Sequence, residues 1–500
     1  MSPEHSTRLQ TVETCRSPIT RWLAGANPVS FTLYAVVASF ATYFCMYAFR
    51  KPFSAGTFEG LKFGLDWASL GLQFEFKLKT AFITSQILGY TLSKFIGIKV
   101  CSEITRGRRA AAIIGLILAA ELMLLLFAVV PQKWKVVAIF FNGLPLGMVW
   151  GLVVAYLEGR RTSEALLAGL SCSFILASGI VKDIGKNLMA GAGQLSIFGI
   201  DVPWLGQQRL TVPNPLASFG KIPEFWMPFA VGLLFVVPLL AAVLMLEQIP
   251  QPSQTDEKLR VKREPMDRRH RLAFFFHFLP GMIMLLMAYC FLTAFRDFRD
   301  NFGVEIFQGL GYAKEPDIFS RSESWVMFGV LVALAALVFV RNNRWGLLGA
   351  FFIMLTGTVL LGAGTLLLDT GRISGLSFMI LTGLGVYLAY VPYGSVLFDR
   401  MIAYTGVVGT AVFAINLADF VGYSGSIVTM QVKDLVFPDV SHLAFLRVFS
   451  YFLAVFAGLN LMASCVYLVY FHRHKRHAEE IDAEKKAAAE HQLAAQATKA

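Results

Sequence analysis

The chain has 500 residues, of which 56% are hydrophobic and 15% charged, with 44 phenylalanines and a formal net charge of +11. That apolar excess, with so few charges, excludes an ordinary water-soluble domain and points to a membrane protein. The six cysteines follow neither a disulfide framework nor a metal-ligand spacing: Cys45, Cys172, Cys290 and Cys465 fall in apolar stretches, Cys15 and Cys101 in polar ones.

Apolar stretches near the ~20 residues that a spanning helix needs recur along the whole length. In chain order they are predicted at 29–50, 80–98, 110–130, 136–157, 164–186 and 225–247, then 272–296, 324–341, 346–368, 374–397, 403–428 and 444–471. This is the pattern of an all-α, polytopic membrane protein with twelve transmembrane helices. The first stretch lacks a short apolar region followed by a small-residue cleavage site, so it reads as a retained helix.

Basic loops are retained on the cytoplasmic side. With the amino terminus inside, the inner segments collect Arg8, Arg16 and Arg21, then Lys99, Arg106, Arg108 and Arg109, then Arg160 and Arg161. Lys258 to Arg271, Arg341, Arg344, Arg400 and Arg473 to Arg476 follow. The outer loops hold fewer, roughly 15 against roughly 25, so both termini are expected in the cytoplasm. The positive charge is a topological bias plus the tail, which argues against nucleic-acid binding.

Five regions follow. Residues 1–28 form a cytoplasmic segment and 29–247 a first six-helix half. Residues 248–271 form a basic linker opening at Gln251-Pro252-Ser253-Gln254. Residues 272–471 form a second half and 472–500 a tail whose Ala, Glu and Lys content suits a solvated helix or disorder. The linker reads as solvated, although such clusters also bind anionic lipid. Residues 187–224, with Pro203, Trp204, Pro213 and Pro215, read as a long outer loop, with an interfacial lid as the alternative.

Tyr47-Ala48-Phe49-Arg50-Lys51 and Thr293-Ala294-Phe295-Arg296-Asp297 each end the first apolar stretch of their own half. Arginine is costly in or beside hydrocarbon, so a pair at equivalent places in two halves suggests that both face one cavity and hold an anion.

The first stretch runs out in Tyr47-Ala48-Phe49-Arg50-Lys51-Pro52-Phe53, and the second contains Gly89-Tyr90-Thr91-Leu92-Ser93-Lys94-Phe95-Ile96-Gly97. With six plus six helices and a basic central loop, these segments resemble the major facilitator superfamily, and within it the organophosphate:phosphate antiporters. The resemblance implies the major facilitator fold, a bacterial inner-membrane location, and phosphate binding by Arg50, Lys94 and Arg296. A guanidinium offers two phosphate oxygens a planar fork, and a lysine adds a compact charge. Two arginines on opposing halves repel when empty and are bridged by an anion, which suits exchange by rocking of the halves. The chain departs from that family in two places. The fifth-helix histidine falls near Phe174, and the loop after the second helix has Glu103 in place of aspartate, so an uncharacterised bacterial branch is implied.

Each candidate has an alternative. Arg50 closes about 20 apolar residues and can snorkel to the interface. Arg296 and Asp300 are four apart on one helical face and can pair with each other. Lys94 lies near the end of its stretch, where it can also snorkel. Asp419, well inside the eleventh stretch, needs either an arginine partner or a proton-carrying role. Glu121 and His277 are weaker candidates of the same kind, with packing or interfacial roles favoured.

Tyr43 and Tyr47 share a helical face leading to Arg50. Tyr387, Tyr390 and Tyr393 recur at a similar spacing; aromatic faces of this kind often serve ordinary packing, and in a cavity their hydroxyls would bond a polar substrate body. Gly143, Gly147 and Gly151, four apart, suit close helix contact.

No nucleophile-base arrangement, nucleotide-binding glycine loop or metal cluster emerges, so neither an enzyme nor an ATP-driven pump is expected, and no cofactor. The expectation is a secondary transporter of a small anion, phosphate or an organophosphate first, with phosphate or a proton as coupling species. The alternatives are a proton-coupled symporter of another polar solute and a non-transporting sensor.

Overall fold

The computed structural model describes residues 17–67, 72–158, 160, 162–202, 204, 206–251, 275, 276, 278–405 and 411–471. The cluster Lys258 to Arg271, His277, Cys15, Arg161 and the tail from His472 lie outside the described residues.

After a short helix α1 (Pro18–Gly25) the first half of the chain forms α2 (Pro28–Tyr47), α3 (Leu78–Glu103), α4 (Arg106–Val129), α5 (Gln132–Leu157), α6 (Ser163–Ala190) and α7 (Met227–Glu247). The second half forms α8 (Leu279–Asn301), the short α9 (Gly303–Gly309), α10 (Ile318–Val338), α11 (Asn343–Asp369) and α12 (Gly375–Pro392). It ends with α13 (Phe398–Thr405), α14 (Ala411–Leu435) and α15 (His442–Val466). Local chemistry sets many of the ends. Asn27 Oδ1 accepts from the Ser30 amide at 2.8 Å with Pro28 at the first helical position, which starts α2. Gly191, at φ +70°, ends α6 in the left-handed conformation that glycine adopts without strain. Pro392 has no N–H for the helical ladder, and a π-turn at Tyr393–Leu397 separates α12 from α13.

Ten helical spans among the described residues are long and apolar enough to cross a bilayer, and the chain is a multi-pass membrane protein of the all-α class. Outward-facing Val237 and Leu244 of α7, Val359 and Leu366 of α11, and Val455 and Leu459 of α15 are each more than half exposed. In water such surfaces would be a liability; against lipid tails they are the expected outer face. Two further helices, α3 and α14, are as long. Polar and charged residues interrupt both: Lys79, Gln86 and Lys94 in α3, and Asp419, Gln431 and Lys433 in α14.

The packing repeats along the chain. α2 packs on α6 and α7, α3 on α5, and α4 on α5 and α7. Six long helices later, α8 packs on α14 and α15, α10 on α12, and α11 on α12 and α15. The two sets meet where α6 packs on α10 and where α3 packs on α14. Close approach of α3 and α5 requires glycine. A Cβ at Gly143 would sit 2.4 Å from the Gln86 carbonyl oxygen, and one at Gly147 2.6 Å from that of Tyr90. Gly151, the third of that series, lines a cavity instead.

Residues 187–224 are not a plain loop. Strands β3 (Gln194–Val202) and β4 (Gly206–Pro213) pair antiparallel from Gln194↔Pro213 to Val202↔Gly206, with a bulge between Ser196 and Phe198. Backbone groups in so long an excursion need partners, and pairing the two arms supplies them. A second hairpin, β1 (Lys62–Trp67) with β2 (Leu72–Lys77), precedes α3 at the same end of the molecule.

Candidate functional site

The end of α2 carries Arg50, and its backbone is held in an unusual way. Pro52 follows closely and donates no hydrogen bond, so carbonyls at this helix end need other partners. Asn142 Nδ2 donates to the Phe49 carbonyl at 3.0 Å and to that of Ala120 at 3.0 Å, while its Oδ1 accepts from Gln86 Nε2 at 2.8 Å. Gln86 Nε2 also donates to the Arg50 carbonyl at 2.8 Å. Ala48 and Phe49 are wholly buried. The chain is thereby fixed so that the Arg50 side chain turns into a cavity between the two sets of helices.

That cavity has a volume of about 390 Å³. Arg50, Tyr47 and Tyr90 line it from one set of helices, and Arg296, Tyr390 and Tyr423 from the other. The Arg50 guanidinium lies 4.0 Å over the Tyr90 ring, and that of Arg296 4.2 Å over Tyr390. Both contacts are cation–π geometry. The charge environments differ. Arg296 donates to Asp297 Oδ1 from Nε at 3.1 Å and Nη2 at 2.7 Å. Lys94 Nζ lies 2.6 Å from Asp419 Oδ2, and the Tyr289 hydroxyl donates to Asp419 Oδ1 at 2.7 Å. Among the described residues no carboxylate pairs with Arg50, and its buried Nε has no hydrogen-bond partner.

The pairing of Arg296 with Asp300, which their spacing offers as the alternative to a cavity role, does not form. Asp300 turns across the junction instead, with Oδ2 2.6 Å from Lys51 Nζ and Oδ1 2.5 Å from Lys182 Nζ. Ser178 Oγ donates to it as well. Arg296 takes its immediate neighbour Asp297, whose other oxygen accepts from Ser426 at 2.8 Å. Asp419 has a lysine partner, not an arginine.

Tyr43, Tyr47 and Tyr390 line the cavity, and Tyr393 does not. Its hydroxyl donates to the Leu285 carbonyl at 2.9 Å and the ring is wholly buried, because the π-turn after Pro392 rotates it into the α8 contact. Glu121 is also away from the cavity, packed against Gly232 of α7, and its carboxylate oxygens have no hydrogen-bond partner among the described residues.

At the hairpin end, polar contacts join the two sets of helices. Besides the Lys51–Asp300–Lys182 cluster, Lys79 pairs with Glu305 at 2.7 Å, and Asp183 accepts from the Ser320 amide at 2.7 Å at the start of α10. The β3–β4 hairpin crosses to α10: Arg209 pairs with Asp317 at 2.6 Å, Asp201 with Arg321 at 2.7 Å, and Trp325 Nε1 donates to the Asp201 carbonyl at 2.9 Å. In the other direction the cavity wall reaches Glu158, just past the end of α5, and Asp399 in α13.

A family profile covers residues 52–201 and 210–474, nearly all of the helical body. The chain belongs to DUF5690, a family of unknown function. No curated protein matches the chain. The DUF5690 match takes in Lys94, Arg296 and Asp419 but begins two residues after Arg50. Several residues around the site escape sequence reasoning. Gln86 and Asn142 look like ordinary polar interruptions of apolar stretches, and Lys51 and Lys182 acquire meaning only when the fold brings Asp300 to them. Tyr90 had a signal, since it lies four residues before Lys94 on one helical face.

Proposed function

We propose that the protein is a secondary transporter of the major facilitator kind, moving a small anionic metabolite by alternating access, with phosphate or an organophosphate as the first substrate class. The observation that carries this reading is the Arg50 guanidinium, buried in a cavity between two sets of helices and without a carboxylate partner among the described residues. Lys94 is balanced by Asp419 and Arg296 by Asp297, so an entering anion meets Arg50 as the uncompensated cation. Burying such a charge is costly unless a ligand pairs with it. The repeated helix packing supports rocking of two six-helix halves about that site. With both termini cytoplasmic, as the basic loops imply, the polar contacts at the hairpin end close the outer side and the cavity reaches towards the inside.

Purified protein in phosphate-loaded vesicles is expected to exchange external labelled phosphate or organophosphate. Binding without counterflow would replace the transporter reading with that of a sensor. A proton-coupled variant is favoured by one contact, Lys94 with Asp419. Uptake driven by a pH gradient into vesicles free of phosphate would select it over exchange.

A further inference from the structure

The wall beside Arg50 is built of rings. Tyr43 and Trp150 meet edge to face at 4.9 Å, Trp150 and Phe174 lie 6.3 Å apart, and Phe174 stacks near Tyr47 at 6.4 Å with an interplanar angle of 23°. All four line the cavity. Trp150 and Phe174 are only partly buried, so part of their ring surface is open to an occupant. Tyr47 and Phe174 are too close together to admit another ring between them, so the four rings form one continuous surface.

Arg50 stands at the edge of that surface, 5.7 Å from the Tyr47 ring centroid. A polyhydroxylated body would call for a dense set of amide and carboxylate partners on this wall. Ser171 is the polar non-aromatic side chain that α6 adds to the cavity lining, and α5 adds none. Aromatic surface instead gains by contact with another π-face or ring edge, about two- to tenfold in affinity for each ring pair beyond simple burial.

Building on the anion reading, we infer that the preferred substrate is an organic anion whose oxyanion head pairs with Arg50 and whose planar aromatic ring lies against the Tyr43–Trp150–Phe174–Tyr47 wall. The cavity volume is within the range of sites for small organic ligands. Contact with two wall rings corresponds to a preference of about tenfold for a ring-bearing phosphate over a saturated one of similar size.

Equilibrium binding of inorganic phosphate, phenyl phosphate and cyclohexyl phosphate to the purified full-length protein tests this. Phenyl phosphate is expected to bind about tenfold tighter than cyclohexyl phosphate, and tighter than inorganic phosphate. In Trp150→Leu the ratio of phenyl to cyclohexyl phosphate affinity is expected to fall towards one, and in Trp150→Phe to be largely kept, which separates ring loss from misfolding. If phosphate binds and phenyl phosphate binds no tighter, the ring preference is wrong while the anion site stands. Equal affinity for the phenyl and cyclohexyl compounds would also overturn it, since the wall would then read bulk alone. Failure of all three to bind would remove the anion site and this inference together.

Discussion

The guanidinium of Arg50 lies 4.0 Å above the ring of Tyr90, with no carboxylate paired to it among the described residues. A flat cation on a flat ring leaves its edge for a two-oxygen contact. Lysine keeps the charge but has neither the plane nor the fork. Arg50→Lys is therefore expected to lower phosphate exchange at least about tenfold, measured by counterflow in vesicles. Exchange close to that of the parent would argue against two-oxygen binding.

The Lys94–Asp419 pair joins α3 to α14 at 2.6 Å. Removing one partner leaves the other charge buried and unpaired, at a cost of about 3 kcal/mol. Lys94→Ala should lower the melting temperature in detergent, and adding Asp419→Asn should recover much of the loss. Simple additivity of the two substitutions would show that the contact carries no coupling.

Asn142 holds the carbonyls of Phe49 and Ala120. In Asn142→Leu the Phe49 carbonyl loses its donor and that of Ala120 keeps only its helical one, a destabilisation of about 2 kcal/mol, and the segment carrying Arg50 is loosened. Melting temperature and phosphate affinity should fall together. A variant that melts like the parent would show that these carbonyls find other donors.

The β3–β4 hairpin is seated on α10, and a Cβ placed on Gly199 would lie 3.2 Å from Ser320 Oγ. If opening at this end is part of the cycle, Gly199→Cys with Ser320→Cys, in a background without the native cysteines, should lock it on oxidation. Exchange is expected to fall at least about tenfold in the bridged protein, recover with reductant, and stay unchanged in each single variant. Full exchange by completely bridged protein would mean that the hairpin and α10 travel as one body.

Much of the helical layout was legible in the sequence, because crossing hydrocarbon demands a length and an apolarity that few other structures share. The cavity positions of Arg50 and Arg296 were legible through the repeated Ala-Phe-Arg, which places both at corresponding helix ends. Asp300 was not, since helical spacing pointed it at Arg296 while its partners Lys51 and Lys182 lie about 250 and 118 residues away. Tyr393 looked equivalent to Tyr390 by spacing, and the π-turn after Pro392 broke that equivalence. The hairpin at 194–213 was hidden by its prolines and glycines, which mark turns without saying what lies between them.

The contact between Lys94 and Asp419 spans 325 residues of chain. At the usual pace of synthesis, about 5–20 residues per second, the lysine leaves the ribosome some tens of seconds before its carboxylate exists. For that interval α3 is a weakly apolar segment with an uncompensated charge, held by its close packing on α5 and by the Gln86 hydrogen bonds to Asn142 and the Arg50 carbonyl. Assembly of the second half is thus what completes the insertion of the first, and truncation before α14 should leave α3 the segment most prone to slip out of the bilayer.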